Sequence, residues 1–268
     1  MRQRVLGAPV DLMKKPEFID VVSGWIEGRA KMKLIVTAYS EFFVLARRDP
    51  EFMGILQSAD LVTPDGVSVL AAVKYAERSR GMTWLGRLGQ GIRVGVEILS
   101  GKVGEPVTGV WLFENLTRLA AERGWKVFLL GGWNNVSART VKMLLKRLPG
   151  LKIEYDEGEA RVGTDETKNK EVIERINRFR PDILFVAYNP IKQEKWLAKH
   201  RGILKVKVGV GVGGTFDEFT GEFKKAPLWM EKAGLKWLFR VIREPKRIKR
   251  ILKAVVVFPW LVFRNSRS

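Results

Sequence analysis

A carboxylate set between a proline and a glycine is the first candidate for chemistry in this chain. It is Asp65, in LVTPDGVSVL (Leu61–Leu70), where an apolar run enters Thr63-Pro64-Asp65-Gly66 and then resumes. Pro64 fixes one backbone angle and Gly66 frees another, leaving Asp65 at a strand end just before a helix. An Asp there can cap the helix, or it can take a proton from a substrate hydroxyl as a general base. Three more loops follow apolar runs. VTAYSE puts Thr37 after KLIVT, either as a helix cap or as a ligand group. YNPIKQEKW (Tyr188–Trp196) turns at Asn189-Pro190 and sets Gln193 and Glu194 in the first turn of a helix. VGVGVGGTFDEFTGE carries Gly209, Gly211, Gly213 and Gly214, which would let a ligand approach backbone N–H groups. LLGGWNN (Leu129–Asn135), with Gly131 and Gly132, is a similar turn that could hold a nucleotide or its phosphates.

Other chemistries are excluded by composition. The 268 residues include no cysteine and one histidine, His200. Disulfides, thiolate metal sites and cysteine nucleophiles are therefore ruled out, and a Ser-His-Asp triad or multi-histidine metal site nearly so. His200 sits in the basic run LAKHRG and reads as exposed. The chain has no GxxxxGKS/T, and the spaced glycines of GRLGQG follow no strand, which argues against a dinucleotide-dependent oxidoreductase. No DxD pair is present to hold Mg²⁺ on a diphosphate, so metal-independent chemistry is expected, with no cofactor and no metal site. A leaving diphosphate would then be neutralised by arginines and helix N-termini.

These loops need a scaffold, and the hydrophobic pattern supplies one. Strands are predicted at 33–37, 61–63, 126–130, 151–155, 183–187 and 206–210. Helices are predicted at 16–27, 40–47, 50–58, 67–78, 110–123, 135–147, 166–180 and 192–199. Apolar strands alternating with amphipathic helices predict a mainly parallel sheet covered on both faces, a Rossmann-like α/β sandwich. Such sheets bind ligands at the carboxyl ends of their strands.

After Gly221 the alternation stops, which divides the chain into a catalytic α/β domain (1–220) and a C-terminal helical appendage (221–268). From Glu222 onward thirteen Lys/Arg face three Glu, so +10 of the net charge of +19 falls in the last 47 residues. The tail reads as basic amphipathic helices, with Lys236, Arg240, Arg243, Lys246, Arg247, Lys249 and Arg250 opposite Trp237, Leu238, Val241, Ile248, Ile251, Leu252 and Val255. Ala254–Phe263 is too short to span a bilayer but suits a membrane interface, with Trp260 as an aromatic anchor. A helix docked on the core with a solvated basic face is the alternative. The N-terminus lacks the apolar core of a signal peptide, and a cytoplasmic, peripheral membrane protein is expected.

Together the loops and tail resemble the WecG/TagA/CpsF family of bacterial glycosyltransferases (glycosyltransferase family 26). The resemblance rests on an ordered series: VTAYSEFFVLARRDPEF, ADLVTPDGVSVL, RVGVEIL, VFLLGG, RPDILFVAYNPIKQEKWL, VGVGGTFDEFTG and KAPLWMEKAGLKWLFRVIREPKRIKR. It implies inverting transfer of an N-acetylhexosamine-type sugar from a UDP donor. N-acetylmannosamine or its uronic acid is typical, and the acceptor is polyprenyl-diphosphate-linked GlcNAc, in teichoic acid or other cell-surface polysaccharide synthesis.

By the same resemblance Asp65 is the base, Thr37 and Gln193 position substrates, and Arg93 lies near the phosphates. Arg240, Arg243 and Arg247 of the tail would reach the diphosphate. Two departures stand out: Tyr39 occupies a position where members often carry Asn, and RVGVE around Arg93 is one residue shorter than the family spacing, with Glu97 in place of an Asp. The main competing reading is a nucleic-acid-binding protein, suggested by charge. Against it, the basic excess accompanies a greasy Trp-bearing stripe, so no nucleic-acid partner is expected; homo-oligomerisation stays open.

Overall fold

Strand residues alternate between the two faces of one sheet. Leu34, Val36, Val62, Phe128, Leu130, Leu184 and Val186 pack into one core; Ile35, Leu61, Val127, Leu129, Ile183, Phe185, Val208 and Val210 pack into the other. Two greasy faces require helices on both sides, and the computed structural model has them. It describes residues 1–28, 31–159, 163–222, 227, 230, 236–243 and 248–266.

The sheet contains β3 (Lys33–Ala38), β4 (Leu61–Pro64), β5 (Lys126–Gly131), β6 (Lys152–Asp156), β7 (Ile183–Ala187) and β8 (Val208–Gly211), all parallel, in the order β4-β3-β8-β7-β5-β6. One face is covered by α2 (Ser40–Ala46), α3 (Pro50–Ser58), α4 (Val67–Arg78), α8 (Glu166–Phe179) and α9 (Lys192–His200). The other is covered by α1 (Lys15–Glu27), α6 (Gly109–Arg123), α7 (Val136–Arg147) and α10 (Thr215–Phe219). The Rossmann-like expectation holds, and the bounds of β7, α3 and α4 match the sequence reading.

Besides the five-residue α10, two elements lie where the pattern gave none. A hairpin of β1 (Arg2–Val5) and β2 (Ala8–Asp11) turns through Leu6 and Gly7, both at positive φ. Its Asp11 carboxylate binds the Arg2 guanidinium at 2.8 Å and accepts the Val62 N–H at 2.8 Å, which ties the hairpin to β4. The second is α5 (Trp84–Leu99), a helix containing Gly86, Gly89, Gly91 and Gly95.

In the C-terminal region, α11 (Lys236–Arg243) and α12 (Ile248–Leu252) precede a π-helical turn (Lys253–Val257) and α13 (Phe258–Asn265). Phe258 and Val262 are buried, with the Phe258 ring 5.8 Å from Phe43 of α2 and Phe263 6.3 Å from Tyr75 of α4. The docked alternative thus describes α13, while Leu252, Val256 and Trp260 remain exposed. Among the described residues no helix is long and apolar enough to cross a membrane.

His200 corrects the sequence reading. It is buried, its Nδ1–H donates to the Trp196 carbonyl at 2.8 Å, and its Nε2 faces the Asn169 amide at 3.2 Å. Burial pushes its pKa down. The basic neighbours in sequence point elsewhere; the ring belongs to the α8–α9 contact.

Replacing Phe258 with Ala removes a fully buried ring that joins α13 to α2. A loss of about 3–5 kcal/mol in unfolding free energy is expected by chemical denaturation.

Candidate functional site at the carboxyl edge of the sheet

Gly211, the last residue of β8, organises this edge. Its carbonyl accepts the Thr37 hydroxyl at 3.0 Å. A Cβ at Gly211 would stand 2.5 Å from Glu194 Oε1 and 2.7 Å from Gln193 Nε2, so any side chain there would displace the ends of both. Gln193 is buried; its Nε2 donates to Glu194 Oε1 at 2.7 Å and its Oε1 accepts the Gly213 N–H at 3.0 Å. Gln193 thereby couples α9 to the glycine turn after β8.

Glu194 was read from sequence only as a neighbour of Gln193. It is fully buried, and its Oε2 accepts the Ile191 N–H at 2.6 Å. Burial raises its pKa to about 7 against the opposing pull of these hydrogen bonds. The bond to Ile191 holds a turn in which Asn189 (φ 80°) and Ile191 (φ 70°) both adopt positive φ. For a β-branched residue that is a real outlier, of the kind that clusters at ligand sites. Asn189 itself is exposed at the end of β7.

Thr37 is buried and in register with Thr63 of β4. At Gly109, the first residue of α6, a Cβ would find Thr215 Oγ1 at 3.3 Å and Thr37 Oγ1 at 3.5 Å. The start of α6 therefore abuts the ends of β3 and β8. Gly109 and Thr215 were not singled out by sequence reasoning, since small residues before and after helices carry no distinctive signal. Thr37 does not cap α2; the residue at that cap is Tyr39.

Asp65 follows β4 directly, and its N–H donates to the Ala38 carbonyl at 2.9 Å. Its residue is half-buried. The N-cap of α4 is Gly66, at φ 136° and ψ 154°, a region open essentially to glycine alone. The N-cap position of α4 thus belongs to the next residue, and Asp65 lies between the end of β4 and that position, tied by its backbone to the end of β3. Tyr39, one residue past that strand, donates its hydroxyl to Glu41 Oε2 at 3.0 Å; Lys253 of the C-terminal region lies 3.9 Å from Glu41 Oε1.

Several parallel strands thus deliver Thr37, Tyr39, Asp65, Asn189, Gln193, Gly213 and Gly214 to one edge. The N-termini of α2, α4, α6, α7 and α9 face the same way, since each starts where a strand ends or returns, and their dipoles favour an anion. Gly131 and Gly132 are buried; a Cβ on Gly131 would stand 2.8 Å from the Ala187 carbonyl and one on Gly132 3.3 Å from Phe216. Gly213 has open space where its Cβ would be, and Gly214 is exposed.

The sequence profile of the glycosyl transferase WecG/TagA/CpsF family matches residues 3–87 and 74–268. The chain belongs to that family. It is similar to the N-acetylglucosaminyldiphosphoundecaprenol N-acetyl-beta-D-mannosaminyltransferase of Bacillus spizizenii W23, with 30% identity over 89% of this chain and 81% of that protein. It is also similar to proteins of the same description from Staphylococcus aureus, MRSA252 at 27% identity and MW2 at 26%, each over 98% of this chain and 93% of theirs. This WecG/TagA/CpsF member is a glycosyltransferase, and the nucleic-acid-binding alternative is not favoured.

The remaining arginine candidates of this glycosyltransferase lie on α5 or have side chains outside the described residues. Arg93 is on α5, exposed, with its Nε 3.7 Å from Glu97 Oε1. Glu97 is held low chiefly by its 2.6 Å hydrogen bond to Arg78. Arg240 and Arg243 fall on α11, but their side chains lie outside the described residues, as does all of Arg247.

Substituting Ala at Gly211 should push Gln193 and Glu194 off the strand, costing about 1–3 kcal/mol in denaturant unfolding as overpacking does. Glu194 also sets a pH dependence. Its folded pKa of about 7 lies above the ordinary 4.5, so the native state holds the proton more tightly and stability falls as pH rises through that window. Relative to Glu194→Gln, the wild-type chain should lose up to roughly 3 kcal/mol across it, measured by denaturation at a series of pH values.

Proposed function

We propose that this glycosyltransferase moves N-acetylmannosamine from a UDP donor to GlcNAc carried on a polyprenyl diphosphate, with inversion at the anomeric carbon. The activity named for its relatives supports the acceptor and the β-mannosaminyl product. In the reaction the Asp65 carboxylate takes the proton of the acceptor hydroxyl. That oxygen bonds to the anomeric carbon as the sugar–diphosphate bond breaks, and UDP departs with the bonding electron pair. Thr37 and Gln193 position the sugar and the glycine turn at Gly213-Gly214. Charge on the departing diphosphate is met by helix N-termini and by arginines, with Arg93, Arg240, Arg243 and Arg247 as the proposed donors and no divalent cation required. A polyprenyl acceptor brings the chain to the cytoplasmic face of the membrane, where the basic C-terminal region adds attraction to anionic lipid.

The observation that carries this reading is the place of Asp65, half-buried directly after β4 among the strand ends and one residue ahead of the N-cap position of α4. Asp65→Asn should lower turnover about 10²–10⁴-fold, the usual contribution of a general base. UDP release with lipid-linked GlcNAc reads the rate, and calorimetry should show UDP binding essentially unchanged. Normal turnover in that variant removes Asp65 as base. Activity abolished by EDTA and restored by Mg²⁺ overturns the metal-independent mechanism.

A further inference from the structure

Helix α5 is built inside out. Its inward residues are Arg87, Gln90 and Val94, exposed by 3%, 7% and 5%. Its outward residues are Leu85, Leu88, Ile92, Val96 and Leu99, exposed by 72%, 44%, 66%, 59% and 64%. Steps of three and four place these five on one stripe along the whole helix. Met82 and Trp84, at 43% and 53% exposed, extend the stripe beyond the helix start.

The helix cannot roll to hide this face. The Tyr75 hydroxyl donates to the Arg87 carbonyl at 3.3 Å, and the Arg87 guanidinium stacks 5.0 Å from the Phe263 ring of α13. Arg87 Nε and Gln90 Nε2 are buried without a hydrogen-bond partner among the described residues, a cost that a water-exposed helix would shed by turning over. Its outward orientation is therefore imposed by packing on α4 and α13.

We infer that the outer face of α5 is a lipid-contacting surface that sits at the headgroup–acyl boundary of an anionic membrane. Charge decides between lipid and a second copy of the chain. The one carboxylate on α5, Glu97, is already engaged by Arg78, Lys74 and Arg93. Exposed Arg80, Arg93 and Lys102 border the helix, on a chain of net charge +19. Two such rims brought face to face would repel, whereas anionic headgroups complement them. Trp84 suits the interfacial layer at one end. Exposed Trp260 stacks on Phe263 at 6.1 Å, and Phe263 in turn covers Arg87, so the apolar surface passes from α5 into α13. The helix is too short to span, and an amphipathic helix lying in the plane matches its proportions.

The inference concerns where the chain rests and does not depend on which sugar it transfers. The test uses the full chain with Leu85→Glu, Ile92→Glu and Val96→Glu combined, and Ile203→Glu as control. Ile203 is 57% exposed and follows α9, the helix that packs on β8. Co-sedimentation with vesicles of phosphatidylglycerol and phosphatidylcholine should weaken about tenfold or more in the triple variant and not in the control. Circular dichroism, sedimentation coefficient and UDP release with a short, water-soluble acceptor should stay as in wild type. Wild-type-like vesicle binding by the triple variant, or no binding by the wild type, overturns the inference. If vesicle binding survives while a wild-type dimer dissociates in the triple variant, the face belongs to a second copy.

Discussion

Everything at the carboxyl edge depends on how closely α9 approaches the backbone of Gly211. The Thr37 hydroxyl holds the carbonyl of that residue, and Gln193 and Glu194 crowd the space a side chain would fill. Because the contact is made by buried polar groups, each must be satisfied, and the bonds run on to Gly213 and Ile191. Hydrogen bonds around Gly211 thus join two strands, a helix start and a strained turn. A looser arrangement would leave Gln193 free to swing and the glycine turn unsupported.

This rigid edge carries a more exposed rim. Asp65 stands after β4 because Pro64 ends the strand and Gly66 supplies a conformation no other residue takes easily. This places Asp65 at the strand ends, where several helices begin. Tyr39, Glu41 and Lys253 connect that rim to the C-terminal region, so the docking of α13 and the shape of the edge are mechanically related. The same docking turns α5 outward through Phe263 and Arg87. Chemistry and the apolar surface therefore share a support in the packing of α4 against the C-terminal helix.

Legibility in the sequence followed the strength of the local signal. ILFVA gives β7 without error because a run of five apolar residues, too short for a helix and rich in β-branched and aromatic side chains, reads as a strand buried on both faces. The starts of α3 and α4 were legible from Asp49-Pro50 and Pro64-Asp65-Gly66. The hairpin was missed because its four-residue strands lie outside the main sheet, and α5 because its polar residues face the core and its glycines weaken the helical signature. His200 was misread from its charged neighbours Lys199 and Arg201; Lys199 is exposed, while the ring packs toward α8. Thr37, Asp65 and Gln193 were legible as strand-end residues; the parts played by Gly109, Thr215 and Glu194 were not, since nothing in a linear pattern says which distant segments touch.

By itself the sequence determined the alternation of strands and helices, the absence of cysteine chemistry, the basic tail and the strand ends to search. Those properties are local: each depends on a few neighbouring residues and their hydrophobic period. Only the tertiary structure decided that Gly66 takes the N-cap position of α4, that Gly211 is where α9 meets β8, and that α5 shows its leucines to the outside. Each of those outcomes follows from side chains far apart in the chain competing for the same volume, and a one-dimensional pattern does not contain that volume.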